Sequence, residues 1–271
     1  MSDKFNLILI DTSYTSFYRF FATLRWLSLS NPDEYKLYKN DATYDWTTNK
    51  TFIEKYEKMY FESIVKLIKK KQMKQSIVIF CMDAPRETLW RNKLLPTYKA
   101  GRADISLKHN ITPVFKYTYD TIIPNILINA NMYSLKIPQM EADDIIACIT
   151  MYNTDHRIII VSGDNDFLQL GKYNVSFINY KLKKLIQIDS KSAFDKLQEK
   201  IIMGDKSDNI LPIVSNKKKL KEFMKDINLI KEHPEIYTKY KQNSLLIDFN
   251  NIPKEYYDKV ITKFVKLFIK Q

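Results

Sequence analysis

Carboxylates recur along this chain in short, spaced groups. Asp11 closes an apolar run, Asp83 closes a second, and Asp164-Asn165-Asp166 follows a third. Glu141-Ala142-Asp143-Asp144 opens a helical pattern, and Asp205 and Asp208 lie within Gly204-Asp205-Lys206-Ser207-Asp208-Asn209. A single acid after a strand is ordinarily a turn former or a helix N-cap. The dipole at a helix start also favours negative charge, so capping accounts for one or two members of the Glu141 group. It does not account for three adjacent carboxylates, which repel unless counter-charge is present. In a helical turn Asp205 and Asp208, at i and i+3, would share one face. If the strand ends converge, nine carboxylates meet: Asp11, Asp83, Glu141, Asp143, Asp144, Asp164, Asp166, Asp205 and Asp208. Oxygen donors without histidine or cysteine suit two or more magnesium or manganese ions. Two such ions, about 3.5–4 Å apart in known sites, clamp the attacking and leaving oxygens of a phosphoryl transfer.

The elements that must position these acids are legible as alternating runs. Asn6–Ile10 (NLILI), Ser76–Cys81 (SIVIFC) and Arg157–Val161 (RIIIV) read as buried strands of a parallel sheet. Ligands bind such a sheet outside the carboxyl ends of its strands, where three of the acids fall. Phe52–Lys71 carries apolar residues at helical spacing, and Pro138 precedes a helix that starts at the Glu141 group. Val175–Ile178 and Leu185–Ile188 predict two short strands around a lysine-rich turn, and helical spacing returns at Ser190–Met203 and near Tyr256–Ile269. Arg86–Tyr119 is polar, basic and aromatic, and reads as helical pieces with a mobile segment. Arg25–Lys50 has weak periodicity and reads as an insertion or loop. The fold class is α/β, with a mostly parallel central sheet flanked by helices and a helical C-terminal part. The expected division is residues 1–189 as the core and residues 190–271 as the helical region.

Charge points to the partner. A formal net charge of +12 suits a polyanion, although lysine-rich composition alone would also produce it. Cys81 and Cys148 sit in apolar segments and are expected as buried thiols, and His109, His156 and His233 lack zinc-ligand spacing. Only four glycines are present, and none forms a phosphate-binding loop, which disfavours a nucleotide-binding regulator. No apolar run is long enough to span a membrane, and the N-terminal residues lack the features of a secretory signal, so a cytoplasmic protein is expected.

Five segments, in order, resemble the flap endonuclease and 5′–3′ exonuclease family, including the 5′-nuclease domain of bacterial DNA polymerase I and the 5′-nucleases of tailed phages. They are LILIDTS around Asp11, FCMDAPRETLWRNKLLPTYKAGR from Phe80 to Arg102, EADDIIA from Glu141, VSGDNDFLQL from Val161 and IIMGDKSDNI from Ile201. A phage or viral member is the nearest likeness, and host-cell cytoplasm is then the implied location.

The resemblance implies a PIN-like nuclease core with a helical arch over about residues 84–120. It places acids matching Glu141, Asp143, Asp144, Asp11 and Asp83 around a first metal, some acting through water. Those matching Asp164, Asp166, Asp205 and Asp208 extend to a second. It also implies catalytic roles for Asp164 and for Lys99 and Arg102, which match basic residues that contact the scissile phosphate. Tyr98 could stack on an unpaired base, and Arg86 and Arg91 are further substrate contacts. Lys93 and Lys108 read as general phosphate contacts or surface. After GDKSDNI the chain departs from the family: LPIVSNKKKLKEF puts Ser215 and Lys217 where a helix–three-turn–helix has glycines. That argues against potassium coordination and leaves Lys217, Lys218, Lys219 and Lys221 as direct contacts to duplex phosphates.

The implied activity is structure-specific hydrolysis of branched, flapped or nicked DNA, extending to RNA primers or RNA/DNA hybrids, by a monomer that meets replication proteins. Two rivals remain: a catalytically silent branched-DNA-binding protein and a PIN-type ribonuclease. Asp205, Asp208 and the basic segment Arg86–Arg102 weigh against the second.

Overall fold

Continuous apolar runs bounded by polar residues become strands buried on both faces. In the computed structural model, which describes residues 6–102, 109–179 and 184–269, these runs form β1 (Asn6–Asp11), β2 (Ser76–Met82) and β4 (Arg157–Val161). They are joined by β3 (Met132–Lys136), β5 (Val175–Asn179) and β6 (Lys184–Ile186). Among the described residues the sheet order is β3-β2-β1-β4-β5-β6, parallel except for the antiparallel β6. Register sets Asp11 opposite Cys81 and Ile10 opposite Val161, so the three central strands end level. The chain leaves β1 towards β2 and β3, then returns to β4 on the other side. The crevice at this reversal is where an open α/β sheet binds ligands.

Side-chain alternation along the strands divides the core in two. Leu7, Leu9, Ile79, Ile158 and Ile160 pack with α7 (Ala142–Tyr152) and α11 (Lys254–Ile269), which contributes Tyr256, Val260 and Phe264. On the other face Ile8, Ile10, Val78, Phe80, Ile159 and Val161 meet α1 (Thr12–Ser30) and α3 (Lys50–Ile68). Asn49 caps α3 by accepting from the Phe52 amide, and Phe52, Tyr56, Tyr60 and Ile64 then form its fully buried stripe. Each such burial stabilises the fold by roughly 1.5–3 kcal/mol.

One expectation is corrected, and one strand was not anticipated. The stretch Arg25–Lys50 is not a loop: α1 continues to Ser30, α2 (Pro32–Tyr38) follows, and a short turn carries the buried Trp46. Its order comes from aromatic docking (Trp46 lies 5.2 Å from Phe52, ring centre to ring centre) and from the Asn49 amide donating to Glu34 at 3.0 Å. Short pieces of this kind carry little periodic signal. The edge strand β3 also escaped the sequence reading, because only Leu135 in it is buried.

The remaining α-helices among the described residues are α4 (Lys70–Lys74), α5 (Thr112–Tyr117), α6 (Ile123–Leu127), α8 (Ser190–Met203), α9 (Lys217–Lys225) and α10 (Pro234–Ile247). Leu220 and Phe223 of α9 pack with Ile202, Ile213 and Ile230 in a small separate cluster. Of the arch expected at about 84–120, residues 103–108 lie outside the described residues.

Gly204 ends α8 with φ +69°, and a Cβ there would lie 2.4 Å from the Ile210 carbonyl oxygen and 2.6 Å from the Leu211 carbonyl carbon. The turn it permits is closed by reciprocal amide–carbonyl bonds between Asp205 and Ile210, at 2.9 and 2.8 Å. Gly204→Ala is therefore expected to cost roughly 2–3 kcal/mol in urea unfolding, because backbone rather than a flexible side chain must move. An unchanged midpoint would contradict this reading of the turn.

Candidate metal centre

The site is assembled from strand ends and helix starts. Asp11, the last residue of β1, caps α1: one of its oxygens accepts from the Tyr14 amide at 3.0 Å and the other from the Ser162 hydroxyl at 3.0 Å. Asp83 follows β2 and accepts from the Ala142 amide at 2.6 Å, joining that strand end to the start of α7. Glu141 is the N-cap of α7, and Asp144 at the third helical position completes a capping box with it.

Asp144 is completely buried and fully engaged. Trp90 Nε1 donates to it at 2.8 Å, and two Arg91 nitrogens donate at 2.8 and 2.7 Å. The same guanidinium donates to Glu141 at 3.1 Å and, through Nε, to the Leu246 carbonyl at 2.8 Å. Arg91 thus ties α7 to the end of α10. It was expected on the substrate side, but it is 2% exposed and spends its donors inside the protein.

Tyr98 and Lys99 are also turned inward. The Tyr98 hydroxyl lies 2.9 Å from Glu141 and 3.3 Å from Asp208, and the Lys99 ammonium pairs with Glu141 and stands 3.7 Å from Asp208. Base stacking by Tyr98 is not available in this arrangement, because the ring is 5% exposed. The backbone is fixed here too: the Lys99 amide donates to the Asp208 carbonyl at 3.0 Å, and the Asn209 side chain donates to the Thr97 carbonyl at 3.0 Å. Lys99 and Asn209 both hold positive φ, +57° and +61°. Such backbone persists where surrounding contacts over-determine it.

Asp166, Asp205 and Asp208 form a second group. Lys200 of α8 bridges two of them, pairing with Asp166 and standing 2.7 Å from Asp205. Asp164 caps the turn Asn165–Lys172 by accepting from the Asp166 amide at 3.0 Å, and is itself exposed.

Electrostatics reflects the crowding. Burial, then Asp83, pushes the Asp11 carboxyl up to about 7. Burial, then Glu141, raises Asp83 and raises Asp143 well above the carboxylate range. Burial and Asp164 push Asp166 up to about 6 despite Lys200. Asp205 goes the other way: burial opposes it, but hydrogen bonds from Lys200 and Ser207 hold it down at about 2. Glu141 is also lowered, since Lys99 and Arg91 outweigh its burial.

Two sets of acids, Glu141 with Asp143 and Asp144 and Asp166 with Asp205 and Asp208, each bring ligand oxygens within 4.8 Å of one another. Neither set contains histidine or cysteine among the described residues. All-oxygen donors at this spacing fit hard divalent cations. The remaining expected contacts are more dispersed. Arg86 and Lys93 are exposed, as are Lys217, Lys218 and Lys219 at the start of α9, where Asn216 caps the helix. Arg102 ends a short turn but its side chain lies outside the described residues, as does Lys108.

The sequence reading did not single out Trp90, Ser162 or Lys200. Trp90 sits beside Arg91 within the segment that carried the resemblance. Lys200, five residues before Asp205, has no signal that separates it from the other lysines of its helix.

Asp11 gives a pH prediction. A carboxyl raised from 3.8 to about 7 in the folded chain binds its proton there more tightly than in the unfolded chain. Stability is then highest at low pH and is lost as pH rises through this window, by roughly 2–4 kcal/mol in total. Metal-free protein in EDTA should unfold at progressively lower urea between about pH 5 and 7.5, and divalent metal should flatten the profile. A profile that rises with pH in EDTA would contradict the assignment.

Comparison with known proteins agrees with this geometry. Residues 6–200 match the family described as the 5′-3′ exonuclease, N-terminal resolvase-like domain. Ribonuclease H of enterobacteria phage T4 is 28% identical over 216 residues, covering 68% of each chain. A 5′-3′ exonuclease of Buchnera aphidicola is 31% identical over 157 residues, covering 52% of this chain and about half (48%) of its own length. In fold, the chain is like a bacteriophage T5 flap endonuclease solved as a pseudo-enzyme–product complex with DNA and metal ions. That match has a TM-score of 0.63 at 16% identity and covers 96% of this chain and 98% of that one. With the match spanning residues 6–200, most of its length, the chain belongs to the 5′–3′ exonuclease family.

Proposed function

We propose that this chain is a metal-dependent, structure-specific 5′-nuclease that hydrolyses phosphodiesters of flapped or nicked DNA. The observation that carries this reading is the gathering of six carboxylates into two all-oxygen groups, Glu141 with Asp143 and Asp144 and Asp166 with Asp205 and Asp208, beside a sheet whose three central strands end level. Magnesium or manganese is the cation class such donors take. Bound divalent ions supply an acidified water and stabilise the leaving oxygen.

Asp143, Glu141 and Asp83 hold the first position, and Asp166, Asp205 and Asp208 hold the second. Asp11 lies close enough to Asp83 and Asp164, and Asp164 to Asp166, for their charges to be felt, so both add to the field at the site. Asp144, with both oxygens already engaged, orients Glu141 from behind through Arg91. Lys99 supplies positive charge beside the reacting phosphate and offsets the charge of Glu141. Asp164 is placed to orient water, because it is exposed at the mouth of the group.

The formal charge of +12 and the exposed lysines 217–219 supply the attraction for duplex phosphates. Co-crystallisation of the T5 flap endonuclease with DNA and metal ions supports the choice of substrate. A replication role, a monomeric state and action on RNA/DNA hybrids follow from the same reading. Among the described residues no helix is long and apolar enough to cross a membrane, and a cytoplasmic location is part of the proposal.

The test is cleavage of a 5′-labelled flap duplex with magnesium, with EDTA, and with Asp164→Asn. Asparagine retains the cap, so the fold should persist. Cutting near the junction that needs both the metal and Asp164 is expected, with binding that weakens as salt rises. Tight binding without cutting, in magnesium or manganese, would favour the silent DNA-binding protein instead.

A further inference from the structure

We infer that Lys200 is a tethered cation that competes with divalent metal for the Asp166–Asp205 group, so that this position loads only when the lysine withdraws. The inference rests on the proposed metal-dependent reading and concerns how the second position is filled.

The geometry is direct. Lys200 pairs with Asp166 Oδ1 and stands 2.7 Å from Asp205 Oδ2. The other Asp205 oxygen already accepts from the Ser207 amide at 2.8 Å and the Ser207 hydroxyl at 2.7 Å. The Asp205 oxygen left to face Asp166 is therefore the one Lys200 holds. A divalent ion bridging Asp166 Oδ1 and Asp205 Oδ2 needs the place between them that the ammonium now takes. Lysine and a bridging metal therefore compete for one place.

Lys200 differs from the other inward cations in being able to leave. Arg91 is 3% exposed in its side chain and bonded to four separate acceptor atoms, one of them the Leu246 carbonyl. Lys99 is 8% exposed in its side chain and its backbone is pinned to Asp208. The Lys200 side chain is 26% exposed and lies on α8 at the edge of the group, so its stem can swing the ammonium into water. The metal-free protein is thereby protected from carboxylate repulsion, and the second position is weaker for metal than its donor set alone would make it. The ammonium released on loading then lies beside that position, within reach of a substrate phosphate.

Manganese binding to the DNA-free full chain tests this, read as loss of the free-ion electron paramagnetic resonance signal, for the parent, Lys200→Met and Lys200→Arg. Removing the competitor should tighten the weaker manganese site by about tenfold, with the stronger site unchanged and arginine restoring parental affinity. Thermal unfolding in EDTA should show Lys200→Met folded but less stable than the parent, with a larger gain on adding manganese. Equal or weaker manganese binding by folded Lys200→Met would overturn the competition. Absence of manganese binding in the parent would instead overturn the metal-dependent reading itself, and this inference with it.

Discussion

Like charges gathered in a partly dehydrated crevice repel strongly, and every other feature of this site answers to that repulsion. The sheet cannot avoid it. β1, β2 and β4 end level, so the acids that follow them share one mouth, and the capped start of α7 adds three more. Compensation within the chain comes in two forms: a raised affinity for protons at Asp11, Asp83, Asp143 and Asp166, and cations brought from elsewhere in the chain. Arg91, Lys99 and Lys200 are those cations. Divalent metal is the third form, and the one the donor chemistry fits.

The three cations do different work because they are held differently. Arg91 is planar, forked and buried, and its bonds to Asp144, Glu141 and the Leu246 carbonyl make it a structural rivet between α7 and α10. Breaking a buried pair of this kind strands a charge at a cost of about 3–5 kcal/mol, so its conservation of geometry matters more than its reach. Lys99 belongs to the bridge between the segment after β2 and the turn at Asp208, fixed by backbone bonds and two positive-φ residues. Lys200 is held by acids alone. A graded series results, from permanent counter-ion to displaceable one.

Much of this is legible in the amino-acid sequence, for a reason that particular residues make clear. Buried parallel strands announce themselves as apolar runs, and an acid following each of three such runs is more than capping needs, so Asp11, Asp83 and Asp164 could be placed at the strand ends by pattern alone. Partners were not legible. Nothing in Arg91 or Tyr98 marks a side chain that turns inward, since solvent contact and a buried acid call for the same donors. The division of labour among the acids was equally hidden, because Asp143 and Asp144 are neighbours in sequence while Asp144 alone meets Trp90 and Arg91. The ordered Arg25–Lys50 stretch shows the same limit: aromatic docking by Trp46 depends on what lies opposite, not on local period.

The central claim, that the two carboxylate groups are the metal-holding centre, is tested most directly by locating manganese through its anomalous scattering in crystals of this protein. The account predicts one peak against Glu141 and Asp143 and a second against Asp166 and Asp205, with Asp144 still bonded to Arg91. Manganese bound elsewhere at full occupancy, with Asp166 and Asp205 still paired to Lys200, would contradict it.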